Sequence, residues 1–468
     1  MKRTLLVMAG AALALSGLAA QQQQPAQAPP QQQQPQQPTE ISTTISSDQA
    51  GLPPRFAVPD FIALPGEGAA SSAKPDAEVA DAARTIGRVL WDDLNFEREF
   101  ALIPRDVYST VPAAKSVADV PFDRWRELNA DGVIVGAVHK TAAGVRVEVR
   151  LFNVRSQQMA FGREYTGSIA NARLYAHTIS DDIHQQQRAL RGIARTKLTF
   201  NSDRDGERLA GTVENRGVKE IYIADYDGEN QRRVTTQRSL NITSTWSPDA
   251  RSIAYTSYRR GPPQIFVSNI YQGTLEEPTK NGAGQNWLPA WSPDGTKLAF
   301  ASTRDGNSEI YVMDRDGSNL RRLTNNPAID VSPTWSPSGT QIAFNSDRTG
   351  TPQIWVMGAD GLQQRQLTHE PYADRPTWSA APFNEIAYTA RTGPGNDLKI
   401  LELATGAVRQ LTFGEGSNES PTFAPNGRHL AFMSTRAGKA QVFTIARDGK
   451  DLRQVTKTGN NYQPDWSK

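Results

Sequence analysis

Trp335-Ser336-Pro337-Ser338-Gly339, followed by Ile342-Ala343-Phe344, is one copy of a pattern that recurs through the second half of the chain. Trp291-Ser292-Pro293-Asp294-Gly295 leads into Leu298-Ala299-Phe300, and Trp246-Ser247-Pro248-Asp249 into Ile253-Ala254-Tyr255. Trp378-Ser379 leads into Ile386-Ala387-Tyr388, and Phe423-Ala424-Pro425-Asn426-Gly427 into Leu430-Ala431-Phe432. A last copy, Pro464-Asp465-Trp466-Ser467, lies at the end. Consecutive aromatic positions stand 43–45 residues apart. A period of roughly 40–50 residues, with several short strands in each unit, is the sequence mark of a β-propeller.

One unit reads as four antiparallel strands. Leu288 to Trp291 is the first. Ser292-Pro293-Asp294-Gly295 is a tight turn, because proline fixes one dihedral and glycine accepts a positive φ. Lys297 to Ala301, Glu309 to Asp314 and Arg321 to Thr324 follow as the second, third and fourth strands, with a second tight turn at Arg315-Asp316-Gly317. The first unit starts at its second strand, Leu198 to Ser202, and the copy around Trp466 supplies the missing one. The expected ring therefore has six blades and closes by pairing its two ends, which removes exposed sheet edges.

Upstream the pattern is absent. Lys2-Arg3, the apolar run Thr4 to Ala14 and the small residues Leu18-Ala19-Ala20 read as a signal peptide over 1–20, too short to span a bilayer. No lipid-accepting cysteine follows, so a soluble product with no direct membrane insertion is expected. Residues 21–38 are almost entirely Gln, Pro and Ala and read as a disordered tether. Residues 39–195 mix strand and helix periods. Strands are expected at Arg55 to Phe61, Phe100 to Pro104, Gly132 to Val138, Val145 to Leu151 and Met159 to Thr166. Helices are expected from Pro75-Asp76 through Val79, Ala83, Ile86 and Leu90, from Pro121-Phe122 onward, and through Leu174, Ile179, Ile183 and Leu190. This is an α/β domain with a mixed sheet and helices over one face. The all-β propeller then occupies 196–468.

Composition removes several functions. A formal charge of +2 argues against nucleic-acid binding, which needs a concentrated basic face. With no cysteine there is no disulfide, thiolate metal site or thiol nucleophile. No nucleophile elbow or phosphate-binding glycine loop occurs, so an enzyme is not expected, nor a cofactor. His177 and His184 are seven residues apart but lack further ligand company, and they read as exposed helix residues rather than a metal pair. His369 falls in a loop between blades, where it could join a ligand surface. The aspartates Asp249, Asp294, Asp316, Asp360 and Asp448 recur singly in turns and read as turn formers rather than calcium ligands. An arginine follows each second strand (Arg204, Arg259, Arg304, Arg348, Arg391, Arg436), which points to a structural hydrogen bond, for instance to a neighbouring blade.

The order of leader, α/β domain and W-S-P-D-G propeller resembles the TolB family of the Tol-Pal envelope system. Pro54-Arg55-Phe56-Ala57-Val58-Pro59-Asp60-Phe61 and Ile223-Ala224-Asp225-Tyr226-Asp227-Gly228 carry the resemblance further; in the second, Ala224 stands where the family has serine. The resemblance implies a non-enzymatic, monomeric periplasmic adaptor that supports envelope integrity and outer-membrane constriction at division. It implies that the propeller's channel mouth binds a Pal-like peptidoglycan-associated lipoprotein. It also implies that the segment Ile41, Ser42, Thr43, Thr44, Ile45 and Ser46 binds a TolA-like inner-membrane protein, and the β-branched content of that segment suits strand addition. A different reading stays open, a propeller that binds or processes a small glycan or peptide in its channel.

Loop chemistry favours one end of the ring. The Ser-Pro-Asp-Gly and Asp-x-Asp-Gly turns are tight and alike. The connections from each fourth strand to the next first strand differ from blade to blade, and variable loops on a rigid scaffold are where specificity resides. Asn286, Trp287, Asp330, Ser332, His369, Asp374, Arg375, Asn418 and Glu419 are expected to line that mouth. The resemblance adds Val331 beside Ser332, just before Pro333.

Overall fold

Every copy of the repeat folds as one four-stranded antiparallel sheet, and six such sheets form the ring. The structure is a computed structural model that describes residues 43–47, 51–66, 68, 74–208, 217–280 and 282–468. The leader and the tether read from the sequence lie outside these. Ser42–Lys468 form one compact unit. Blade 1 is made of Asn461–Trp466, Lys197–Ser202, Glu220–Asp225 and Arg232–Arg233, in that spatial order. Trp466 pairs with Leu198 across the closure, and its indole Nε1 donates to Thr196 Oγ1 at 2.7 Å.

The repeated motif has a packing reason at each position. In blade 3, Asp294 Oδ1 accepts from Thr296 N at 3.0 Å, Ser292 Oγ accepts from Lys297 N at 2.9 Å, and Gly295 takes φ 71°. The turn is thereby closed by its own side chains, which is why Asp recurs there. The Leu-Ala-Phe triplet alternates across the sheet. Leu298 and Phe300 bury against Ala254 of blade 2, while Ala299 faces Ile342 and Phe344 of blade 4. The same large-against-small pairing holds for Ala343 with Ile386 and Tyr388, and for Ala387 with Leu430 and Phe432. At the ring closure Ala431 meets Leu198 and Phe200. A methyl on one blade leaves the room that the next blade fills.

Four of the six arginines prove structural, through a bond inside their own blade rather than to a neighbour. Arg304 Nη2 donates to Asn286 Oδ1 at 2.9 Å, Arg348 Nη2 to Asp330 Oδ2 at 2.7 Å, Arg436 Nη2 to Asn418 Oδ1 at 3.0 Å and Arg204 Nη2 to Asn461 Oδ1 at 2.8 Å. Each of these four ties the loop after a second strand to the first residue of the innermost strand.

The α/β domain holds a six-stranded sheet: β1 Arg55–Ala57, β2 Ile62–Leu64, β3 Ala101–Leu102, β4 Gly132–Thr141, β5 Gly144–Asn153 and β6 Met159–Gly167. The order is β3-β1-β4-β5-β6, with β2 also on β4; the first three pair in parallel and β4 to β6 antiparallel. The strand expected from Arg55 to Phe61 ends at Ala57, ahead of Pro59, and β2 begins only beyond it, at Ile62. Helices α1 (Ala77–Glu97) and α3 (Ala172–Arg188) cover one face. The second face is not bare. A short helix, α2 (Phe122–Glu127), and the 3₁₀ turn Arg105–Thr110 bury Trp125 against β1 and β4.

Two expectations for α3 are corrected. Leu174 is exposed, and Leu190 lies past the helix end, because Ala189 adopts a left-handed φ of 52° and stops the helix. His177 and His184 are buried rather than exposed. Their shared face points at α1 and the propeller instead of at water: His177 Nδ1 lies 2.8 Å from Asp93 Oδ2, and His184 Nδ1 donates to Ser180 O at 2.9 Å.

The domain sits on the tight-turn face of blades 6 and 1. Phe96, at the end of α1, stacks on His429 with ring centroids 4.4 Å apart, and Phe96 O accepts from His429 Nε2 at 3.0 Å. Arg98 pairs with Asp448 and Asp451, each at 3.0 Å, and Arg173 pairs with Asp227. A mixed cluster of Phe96, Ile193, Tyr226, Ala424 and Trp466 welds the domains together.

Candidate functional site

The opposite end of the ring is the mouth, where the innermost strands begin. Each of these strands is disturbed in the same way. Its register slips, for example between Trp287 and Ala290 or between Val331 and Thr334. The residue at the slip turns to positive φ: Thr243 (52°), Leu288 (58°), Ser332 (54°), Arg375 (55°), Ser420 (55°) and Gln463 (50°). A β-bulge re-aims side chains, and here it directs one per blade into the channel. Proline follows in five of the six strands, at Pro289, Pro333, Pro376, Pro421 and Pro464. An innermost strand has a free edge toward the channel, so it tolerates a residue without an N–H. Thr245, Ala290, Thr334, Thr377, Thr422 and Asp465 form the next layer. The pocket that these layers enclose has a volume of about 140 Å³.

The ten residues expected at the mouth divide in two. Asn286, Asp330 and Asn418 are each 0 % exposed, and their side chains hold the arginines described above. Trp287, Val331, Asp374, Arg375 and Glu419 are half-buried, Ser332 is nearly covered, and His369 is exposed. Two of the blades bring several of these together. Asp374 Oδ1 accepts from Arg375 N at 2.6 Å and from Ser332 Oγ of the preceding blade at 3.3 Å, and its Oδ2 accepts from Tyr372 at 3.2 Å. Burial, and then the neighbouring Asp374 carboxylate, push the Tyr372 phenol up to about 12. Glu419 Oε1 accepts from Asn396 Nδ2 at 2.9 Å and Ser417 Oγ at 2.6 Å. His369 stands apart from these, with Nδ1 3.2 Å from Gln366 Nε2.

Sequence reasoning missed three members of the rim. Phe413, on the loop from blade 5 to blade 6, is 74 % exposed, and Ile329, on the loop from blade 3 to blade 4, is 50 % exposed. Lys219 lies over the Tyr462 ring at 3.7 Å. An apolar residue in a loop otherwise made of small and polar residues was the available signal for the first two.

The amino-terminal segment is the second candidate. Ile41 and Ser42 lie outside the described residues, but Thr43 and Ile45 are held against α3 by Gln187. Ile45 is 1 % exposed and packs in the α/β core beside Phe100, Ala160 and Ile183. Ile45 N donates to Gln187 Oε1 at 2.9 Å, and Gln187 Nε2 donates back to Thr43 O at 3.0 Å. One glutamine therefore clamps the backbone of the segment on both sides of a buried isoleucine, while Thr43, Thr44 and Ser46 face solvent.

Residues 189–468 match the family model for the TolB beta propeller domain, and residues 64–160 match that for the TolB amino-terminal domain. A Tol-Pal system protein TolB from Desulfosudis oleivorans is 34 % identical over 238 residues, half of this chain and half of that protein. One from Bordetella avium is 33 % identical over 389 residues, 82 % of this chain and 84 % of that protein. The crystal structure of TolB from Acinetobacter baumannii superposes with a TM-score of 0.73 at 25 % identity, covering 90 % of this chain and 97 % of that one.

Proposed function

The chain belongs to the TolB family and is a Tol-Pal system component, and from that premise we propose that it is a periplasmic, non-enzymatic adaptor with two separate protein-binding sites. The mouth of the propeller takes a Pal-like lipoprotein, and the Ile41 to Ser46 segment takes a TolA-like inner-membrane protein. The observation that carries the reading is the disposition of the two faces. The α/β domain covers tight turns of blades 6 and 1, so the variable-loop mouth is left free for a partner. There Trp287, Val331, Asp374, Arg375 and Glu419, with Phe413 and Ile329 beside them, supply the mixture of apolar anchors and charge that protein interfaces use.

The channel itself favours a protein partner over a small ligand. At about 140 Å³ the pocket enclosed by its inner layers is smaller than the roughly 300–1,000 Å³ typical of ligand pockets. The segment suits strand addition, since it is rich in β-branched residues. Binding a partner through both of its faces requires Ile45 to leave the core and Gln187 to release two hydrogen bonds, so partner affinity is reduced by the docked fraction.

Deleting residues 41–46 tests the assignment of the two sites. The deletion is expected to abolish capture of a TolA-like carboxy-terminal domain and to leave capture of the Pal-like lipoprotein intact. Unchanged TolA-like capture would remove the segment from the reading.

A further inference from the structure

On the tight-turn face a large side chain closes five of the six clefts between blades, and the cleft between blades 3 and 4 is left open. The closing position is fixed by the backbone. Ile270, Arg315, Ala359, Leu403 and Arg447 each donate their N–H to the carbonyl just before the second strand of their own blade, at 2.7–3.0 Å. In four of these cases a long side chain then reaches back over the preceding blade. Ile270 packs on the blade 1–2 core, and Leu403 on the blade 4–5 core. Arg315 lies over Trp291 and donates to Ser252 of blade 2, and Arg447 pairs with Glu385 of blade 5. At Ala359 there is only a methyl group. Between blades 3 and 4 a cleft of about 750 Å³ remains, floored by Val312, Met313 and Trp335.

The sixth cleft, between blades 6 and 1, shows what such a cleft accepts. It is closed by Tyr226 together with Phe96 from α1, whose ring centroids lie 4.8 Å apart. The walls around Phe96 are His429, Arg453 and Trp466. By repeat position these correspond to Lys297, Arg321 and Trp335, which all line the open cleft. Two residues after Phe96, Arg98 pairs with Asp448 and Asp451, whose counterparts are Asp316 and Asn319. Asp316 has no cationic partner among the described residues, and neither has Asp294 or Asp360 on the rim.

We propose that the cleft between blades 3 and 4 is a second docking socket, open to a partner protein that presents an aromatic side chain followed two residues later by a basic one. The aromatic ring fills the space that Ala359 leaves over Met313 and Trp335, and the cation meets Asp316. The socket lies across the ring from the α/β domain and on the same face, so a protein held there does not obstruct the mouth.

A synthetic peptide of this chain's own Leu94–Glu99, blocked at both ends, is the probe. It is titrated into the full ¹⁵N-labelled chain while the Trp335 indole N–H resonance is followed. A saturable shift with a dissociation constant on the order of 1 mM is expected. Ala359→Leu, which copies Leu403, should weaken it at least about tenfold, as should Phe96→Ala in the peptide. Ala359→Arg, which copies Arg315, provides a second plug should the leucine variant fold poorly. No shift at about 10 mM peptide, or equal affinity in the plugged variants, overturns the proposal. So does a dimer in solution that Ala359→Leu converts to monomer, since the occupant would then be a second copy.

Discussion

Tyr226 of blade 1 donates its phenol to Asp93 Oδ1 of α1 across 2.7 Å, and the other oxygen of that carboxylate lies 2.8 Å from His177 Nδ1. This buried triad spans the domain boundary. Burial opposes a charge on His177, but hydrogen bonds to Asp225 and Asp93 and the further charge of Asp227 outweigh it and push the imidazole up to about 9. The folded chain therefore holds a proton that the unfolded chain releases near pH 6.5. Stability from this group is complete below about pH 6.5 and is lost as pH rises through about 9. His177→Gln should lower Tm by several degrees at pH 6.5 and by little at pH 10. Thermal melts of both proteins across that range check it, and parallel curves would remove His177 from the account.

Asp465 makes the opposite contribution. Its Oδ2 accepts from Trp246 N of blade 2 at 2.8 Å and its Oδ1 from Thr422 Oγ1 of blade 6 at 3.2 Å, so it ties the closing strand to both neighbours. Burial pushes its carboxyl up to about 6, above the usual carboxylate range. The folded state then binds the proton more tightly than the unfolded state, and stability falls as pH rises from about 4 through about 6. The ionised form at neutral pH costs at most about 3 kcal/mol. Asp465→Asn keeps the acceptor and drops the charge. It should raise Tm at pH 7.5 and leave it nearly unchanged at pH 4, and a lowered Tm at pH 7.5 would contradict this reading of the channel.

Gln187 is the latch of the amino-terminal segment. Gln187→Ala removes two hydrogen bonds to the backbone of Thr43 and Ile45, a loss of about 1–3 kcal/mol confined to that segment. Amide exchange at Ile45 should accelerate about tenfold or more, while the α/β core keeps its protection. Unaltered exchange at Ile45 would show that the isoleucine alone holds the segment.

The parts of this fold that repeat are legible in the sequence. The blade count, the closing role of Trp466 and the core stripe of α1 follow from spacing, because packing imposes a period on the chain. What was not legible depends on partners far apart in sequence. His177 and His184 look like two polar residues on an exposed helix face. They are buried because Asp93 and Glu97 come from α1, some 84–87 residues earlier, and Asp225 comes from the propeller. The bulge at the mouth leaves no compositional trace, since Thr243, Leu288, Ser332, Arg375, Ser420 and Gln463 share only a backbone angle. Asn286, Asp330 and Asn418 look like rim residues because they begin strands next to variable loops. Both halves of their true arrangement were visible, an Asn or Asp at the strand start and an Arg 18 residues later, but only the structure pairs them.

The central claim is that the mouth is a protein-binding surface, and calorimetric titration of the soluble part of the cognate Pal-like lipoprotein into the mature chain tests it most directly. The account predicts saturable one-to-one binding by the wild-type chain. It further predicts a loss of at least about tenfold in affinity for Asp374→Ala combined with Arg375→Ala, with no change in Tm. Absence of binding by the wild-type chain, or an unaltered affinity in the double variant, would contradict it.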